Sequence, residues 1–139
     1  MTPTKTTLKL GQPAVYEDDD AIVCLAPTKL TVAPDSLYNA KTKKADGVLY
    51  FLEMTYGTAK VGSRPVKARD INNLLLHPKV SAGQKGKAFY SDAPGCDQSN
   101  DDNSIPVGKS EKTCIVYQIS GPKVTEVAYT GYPEKFLWK

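Results

Sequence analysis

Two cysteines constrain this chain more than any other feature. Cys96 stands in the turn-rich stretch Ala93-Pro94-Gly95-Cys96-Asp97, and Cys114 lies inside the β-like run 112–119. Joined, they staple a loop to a strand. Closing such a loop removes denatured-state entropy worth about 3 kcal/mol on the chain-entropy model, and the bond persists only in an oxidising compartment. The sequence therefore reads as an exported β domain. The third cysteine, Cys24, sits between Val23 and Leu25 in an apolar run and is expected as a buried free thiol behaving as a small hydrophobe.

Strand signals dominate the rest. Over 49–56 the residues alternate, placing Tyr50, Leu52, Met54 and Tyr56 on one face with Glu53 and Thr55 on the other. Upstream, 12–17 and 21–26 read as two short strands separated by the acidic turn Asp18-Asp19-Asp20, and 29–33 continues in the same style. Pro27 and Pro34 punctuate that series, since proline is tolerated at strand ends, edges and bulges. The stretch 66–78 is read as carrying a strand through 74–76 that ends before Pro78. A short strand follows at 88–90, and 91–108 is a long polar connection that the staple keeps ordered. The runs 113–119 and 124–130 read as a closing pair joined by the hairpin-like Ser120-Gly121-Pro122-Lys123, and 136–138 as a last strand or apolar plug. About seven to nine short strands, few helix patterns and no internal repeat give an all-β chain, an immunoglobulin-like antiparallel β-sandwich. Its expected core comprises Ile22 or Val23, Tyr50, Leu52, Met54, Leu75, Val116, Val127 and Trp138.

At 139 residues the chain supports one hydrophobic core. Residues 8–139 form that domain, and the Thr/Pro/Lys-rich 1–7 reads as a flexible spacer. Such a spacer follows an export signal or lipid anchor, with the signal itself outside this chain; the alternative is a frayed cytosolic terminus. No run of eighteen apolar residues suggests a membrane-spanning helix. Eighteen Lys and Arg face fifteen Asp and Glu, a net charge of +3, and Arg64 and Arg69 are the only arginines. With the lysines scattered along the chain, nucleic acid is not an expected partner.

A family resemblance rests on a series of landmarks. These are Gly11-Gln12-Pro13-Ala14-Val15 opening the domain, the apolar strand 48–55, Cys96 in a polar turn, and Pro106-Val107-Gly108-Lys109-Ser110 before Cys114-Ile115-Val116-Tyr117. Residues 124–129 and the closing Trp138 complete it. In that order the chain resembles the telokin-like immunoglobulin-type domains exported by actinobacteria, a group that includes a mycobacterial secreted immunoprotective antigen. The resemblance implies a secreted or lipid-anchored β-sandwich with no catalytic residues to carry over. The basic segment 60–69 and Cys24 depart from that pattern.

Chemistry-bearing clusters are few. The single histidine, His77, precedes Pro78 beside Leu74, Leu75 and Leu76 and reads as a boundary residue, not a triad base. Neither a nucleophile elbow nor a Gly-rich phosphate loop is present, so the chain is read as non-enzymatic. A hydrolase would need converging carboxylates, such as Asp70 with Glu53 or Asp92. Asp97, Asp101 and Asp102, with Asn100 and Asn103, share one loop without EF-hand spacing; calcium is the one cofactor this cluster suggests, and a solvated polar loop is the simpler reading. The run Glu17-Asp18-Asp19-Asp20 reads as a solvated turn. Lys60, Arg64, Lys67 and Arg69 suit an acidic protein or an anionic envelope polymer. Tyr16, Tyr38, Tyr129 and Tyr132 are read as rim residues or a binding face. Together these readings give an exported, non-enzymatic interaction module of the cell envelope, a monomer or weak oligomer. The alternative is a small-ligand or carbohydrate-binding protein assisted by calcium.

Overall fold

Alternation of apolar and polar side chains builds two sheets that face each other across a shared core. The computed structural model describes residues 1–71, 75–89, 93–97, 103–131 and 134–139. One sheet joins β2 (Ala14–Asp18), β3 (Ala21–Val32), β4 (Val48–Lys60), β7 (Ser110–Ile119) and β6 (Gly86–Phe89) in that spatial order. The other runs β1 (Thr7–Leu8), β9 (Phe136–Trp138), β8 (Val127–Tyr129), β5 (Leu76–Pro78). Every strand pair is antiparallel except β1 with β9, which run parallel. The only helical pieces described are three single 3-10 turns. This is an all-β sandwich.

The register of β4 matches the expected alternation. Tyr50, Leu52, Met54 and Tyr56 point into the core with Val23, Leu25, Leu76, Val127 and Trp138. Their opposite neighbours Leu49 and Phe51 pack on the outer face of the larger sheet, with Val116, Ala33 and the disulfide formed by Cys96 and Cys114. Val116 is thus buried, but under the stapled loop instead of between the sheets. The loop lies over that face because Ala93 and Cys96 exchange backbone hydrogen bonds and Cys114 N–H donates to the Asp97 carbonyl at 3.1 Å. Cys24 alternates with the core residues Val23 and Leu25 and so sits half-buried on the outer face, which corrects the buried position expected for it.

Four further expectations differ from the fold. The runs 21–26 and 29–33 are one strand, β3, with a bulge between Pro27 and Lys29; the bulge accommodates the missing N–H, and the Pro27 carbonyl accepts a hydrogen bond from Gly11 N–H. The strand placed at 74–76 is β5, Leu76–Pro78. Leu76 replaces Leu75 in the core, and Pro78 fits inside the strand because β5 is an edge with β8 as its single partner. The runs 113–119 and 124–130 do not form a hairpin. β7 pairs with β4 and β6, whereas β8 belongs to the opposite sheet, and the chain crosses between them under tethers from Gln84 to the carbonyls of Ser120 and Pro122. Val124 is held at that crossing by its N–H donating to the Tyr50 hydroxyl at 3.0 Å.

Finally, the lead over 1–7 is tied to the domain. Thr2 and Val15 share two hydrogen bonds, Lys5 N–H donates to Glu134, and Thr7 already belongs to β1. Parallel pairing lets the lead satisfy its backbone groups against β9, which a free spacer would leave to water.

The smaller sheet turns one face inward through Leu8, Phe136, Trp138, Val127 and Leu76, with an aromatic run from Tyr16 through Tyr129 and Phe136 to Trp138. Of the tyrosines read as rim residues, Tyr16 is therefore core, Tyr38 and Tyr129 are half-buried, and Tyr132 lies outside the described residues. The outer face presents Thr7, Leu137, Ala128 and His77 as one cross-strand row.

Candidate functional site

The acidic turn and the basic segment, far apart in sequence, meet at one end of the sandwich. The β2–β3 connection places Asp18 opposite Ala21, with Asp19 at a left-handed φ of 53° that aspartate tolerates. The chain leaving β4 folds back against this turn. Gly62 permits the approach, since a Cβ there would collide with the Asp20 carboxylate and lie 2.7 Å from Ala21 N. Ser63 N–H then donates to both Asp20 oxygens, at 2.9 and 2.8 Å, and the Arg64 guanidinium pairs with Asp19.

Below this latch lies an open cleft of about 440 Å³, floored by Val23, Tyr56 and Val66 and rimmed by Asp18, Arg64, Lys67, Arg69 and Asp70. The floor is fixed from beneath: Val66 accepts a backbone hydrogen bond from Ile105 at 2.8 Å, and the buried Thr58 hydroxyl donates to the Ile105 carbonyl at 2.7 Å. A 3-10 turn at Ala68–Asp70 sets the far rim, closed by Lys67 N–H donating to Asp70 at 3.1 Å. Tyr56 donates its hydroxyl proton to Asp18 at 3.2 Å. Burial, and after it the charges of Asp18 and Asp70, push the Tyr56 pKa far upward, so it stays a neutral donor. Hydrogen bonds from Ser63 hold the Asp20 carboxyl below the usual aspartate value.

Of the four cations singled out by sequence, Arg64, Lys67 and Arg69 line this cleft, and Lys60 is exposed at the end of β4. The acidic run is exposed but not merely solvated, because Asp18, Asp19 and Asp20 each hold a named partner across the cleft. Sequence reasoning treated the two charge runs separately. The usable signal was Gly62 inside the basic segment, a residue without a side chain where the acidic turn closes on the chain.

Other candidates disperse. Asp97 lines a separate groove of about 490 Å³ on the outer face of the larger sheet, with Glu53, Lys112 and Thr28. Asp101 and Asp102 lie outside the described residues, as does Asp92. Among the described residues no three His, Cys, Asp or Glu side chains converge as a metal site. Glu53 and Asp70 line different depressions, so that carboxylate pair does not form. His77 keeps Nδ1 2.9 Å from the Pro78 carbonyl, on the outer face of the smaller sheet.

The fold and its staple define an immunoglobulin-like β-sandwich with a mixed-charge cleft at one end. No family model and no curated protein sequence matches the chain. In three dimensions it is similar to MPT63, a secreted protein from Mycobacterium tuberculosis, with a TM-score of 0.66 and 17% identity over 99% of each chain. That likeness lies within the mycobacterial secreted antigen group named from the sequence landmarks, and at this identity it speaks for a shared fold. No helix of the described residues is long and apolar enough to cross a membrane.

Proposed function

We propose that this protein is an exported, non-enzymatic binding module that engages a protein or envelope component at the cleft between the acidic turn and the basic segment. The observation carrying this reading is the convergence of loops from β2–β3 and from the end of β4 on one open cleft with charges of both signs around an apolar floor. Loops on a rigid sandwich are where recognition resides. The described lining combines carboxylates, cations and a tyrosine hydroxyl around apolar side chains, a mixture suited to binding. Export is supported by the disulfide and by the likeness to a secreted protein.

The test neutralises Lys60, Arg64, Lys67 and Arg69 to Gln together and measures binding to the envelope fraction of the producing cell at low and moderate salt. The variant is expected to keep its fold and lose binding, and wild-type binding is expected to fade as salt rises. Binding unchanged by the four substitutions would remove the cleft from the site.

A second reading is favoured by Tyr56 standing between Asp18 and Asp70 in the same cleft: a small ligand or carbohydrate held by hydrogen bonds over an aromatic floor. Calcium belongs to this reading only as a separate site at Asp97, in the groove on the outer face of the larger sheet. A calcium-dependent rise in melting temperature that disappears in Asp97→Asn would assign the ion to that groove and not to this cleft.

A further inference from the structure

We propose that the open edge of β3 over 28–32 pairs with the same segment of a second copy of this chain, antiparallel about a twofold axis at Thr31. β3 is much longer than the strand beside it. β2 covers only residues 21–25 of β3, and past Pro27, whose carbonyl takes the Gly11 N–H, no strand of the described residues lies on that side. The ladder with β4 fixes which groups are open. Ala33 N–H donates to the Leu49 carbonyl at 2.8 Å. By the period of two, Thr31 also addresses β4, while Leu30 and Val32 turn N–H and C=O to the open edge.

The side chains do little to protect this edge. Leu30 and Val32 stand on the inner face, opposite Leu52 and Tyr50 of β4. Leu30 is half-buried against the core, but Val32 remains 50% exposed. Lys29 is the only charged residue between Pro27 and Pro34, and it lies on the outer face opposite Glu53, so the window carries no charge excess to repel a second copy. An apolar edge of this kind accepts another strand.

The order of residues in the window selects the same segment as the occupant. With the axis at Thr31, Leu30 meets Val32 of the second copy and Val32 meets its Leu30. Each of these pairs exchanges two hydrogen bonds, which satisfies the open groups of both edges and covers the exposed valine with leucine. Thr31 meets Thr31 in the closer position without hydrogen bonds, a favourable cross-strand pair, and Lys29 falls opposite Ala33, so no like charges stand face to face. Pro34 ends the window in time. Beyond it the chain turns over the outer face, where Leu37 and Tyr38 pack on the cluster of Leu49 and Phe51, and so it leaves the sheet before reaching Gly11 of the other copy. A window this short buries far less than the about 1,600 Å² of a standard stable interface. The dimer is therefore weak and forms at high concentration.

The experiment follows sedimentation of the full chain from micromolar to millimolar concentration, in a Cys24→Ser background that removes the free thiol, with melting curves to check each fold. The parent is expected to pass from monomer to dimer. Val32→Pro deletes an N–H that faces away from β4, and by symmetry two bonds of the dimer, so association should weaken at least about tenfold. Thr31→Lys and Thr31→Glu each place like charges together on the axis and should weaken it at least about fivefold, whereas an equal mixture of the two should regain the parent affinity. That recovery is specific to the register, since mixing does not repair a substitution that merely disturbs its own chain. A parent that stays monomeric at the highest concentration, leaving the edge to a strand of some other protein, overturns the proposal. So does a dimer indifferent to Val32→Pro, or a mixture that associates no better than its components.

Discussion

Asp20 illustrates how a fully exposed side chain can still organise a site. Its carboxylate collects the Ser63 N–H with both oxygens, and those bonds, more than the nearby Arg64 charge, lower its pKa. Unfolding releases the bonds, and the unfolded aspartate titrates near its ordinary value of about 3.9. The stabilisation is therefore complete above that pH and is lost as pH falls through the lower folded value, because the unfolded state takes up the proton first. Melting Asp20→Asn and wild type from pH 6 to pH 2 should show the wild type losing the greater share of its stability below about pH 4. Parallel curves for the two proteins would mean the latch contributes nothing to the folded state.

At the scale of elements, the staple makes a countable prediction. Thiol titration of the denatured, non-reduced protein, made under oxidising conditions, should find one free group, Cys24; three would show that Cys96 and Cys114 are unbonded. This part of the structure was legible because Cys96 sat among turn residues and Cys114 in a strand. The alternation of Tyr50, Leu52, Met54 and Tyr56 was equally plain, since a period of two has one interpretation when one face is apolar. Pairing was less accessible. Ser120-Gly121-Pro122-Lys123 has the composition of a hairpin loop, but composition does not say which sheet the next strand joins, and the tethers from Gln84 that steer the crossing come from a distant segment. β5 lies two residues later than expected, with Leu76 instead of Leu75 turned inward, because proline was taken as a stop signal, a rule that relaxes on an edge strand. The cleft was half visible: the charges could be named, but their meeting depends on the fold of the chain between them.

For the whole molecule, stability rests on the layer shared by the two sheets. Leu52 lies fully buried at its centre, opposite Leu30 on one side and Ile115 on the other. Leu52→Ala should cost about 2–5 kcal/mol through lost burial and the cavity left behind, read as a lower denaturant midpoint with an unchanged slope. A midpoint equal to that of wild type would place Leu52 outside the core and break the register of β4.

The parallel pairing of β1 with β9 sets the order in which such a molecule is completed. Hydrogen bonds from Leu137 to Thr6 and from Lys139 to Leu8 join segments separated by nearly the full sequence, and contacts of that range are the slowest to close because the intervening chain must be ordered first. The larger sheet contains every strand it needs by Ile119, whereas the smaller one lacks its second strand until the last residues are available. A growing chain thus holds half a sandwich, with the inner face of β4 open to water, until Trp138 arrives to cover it.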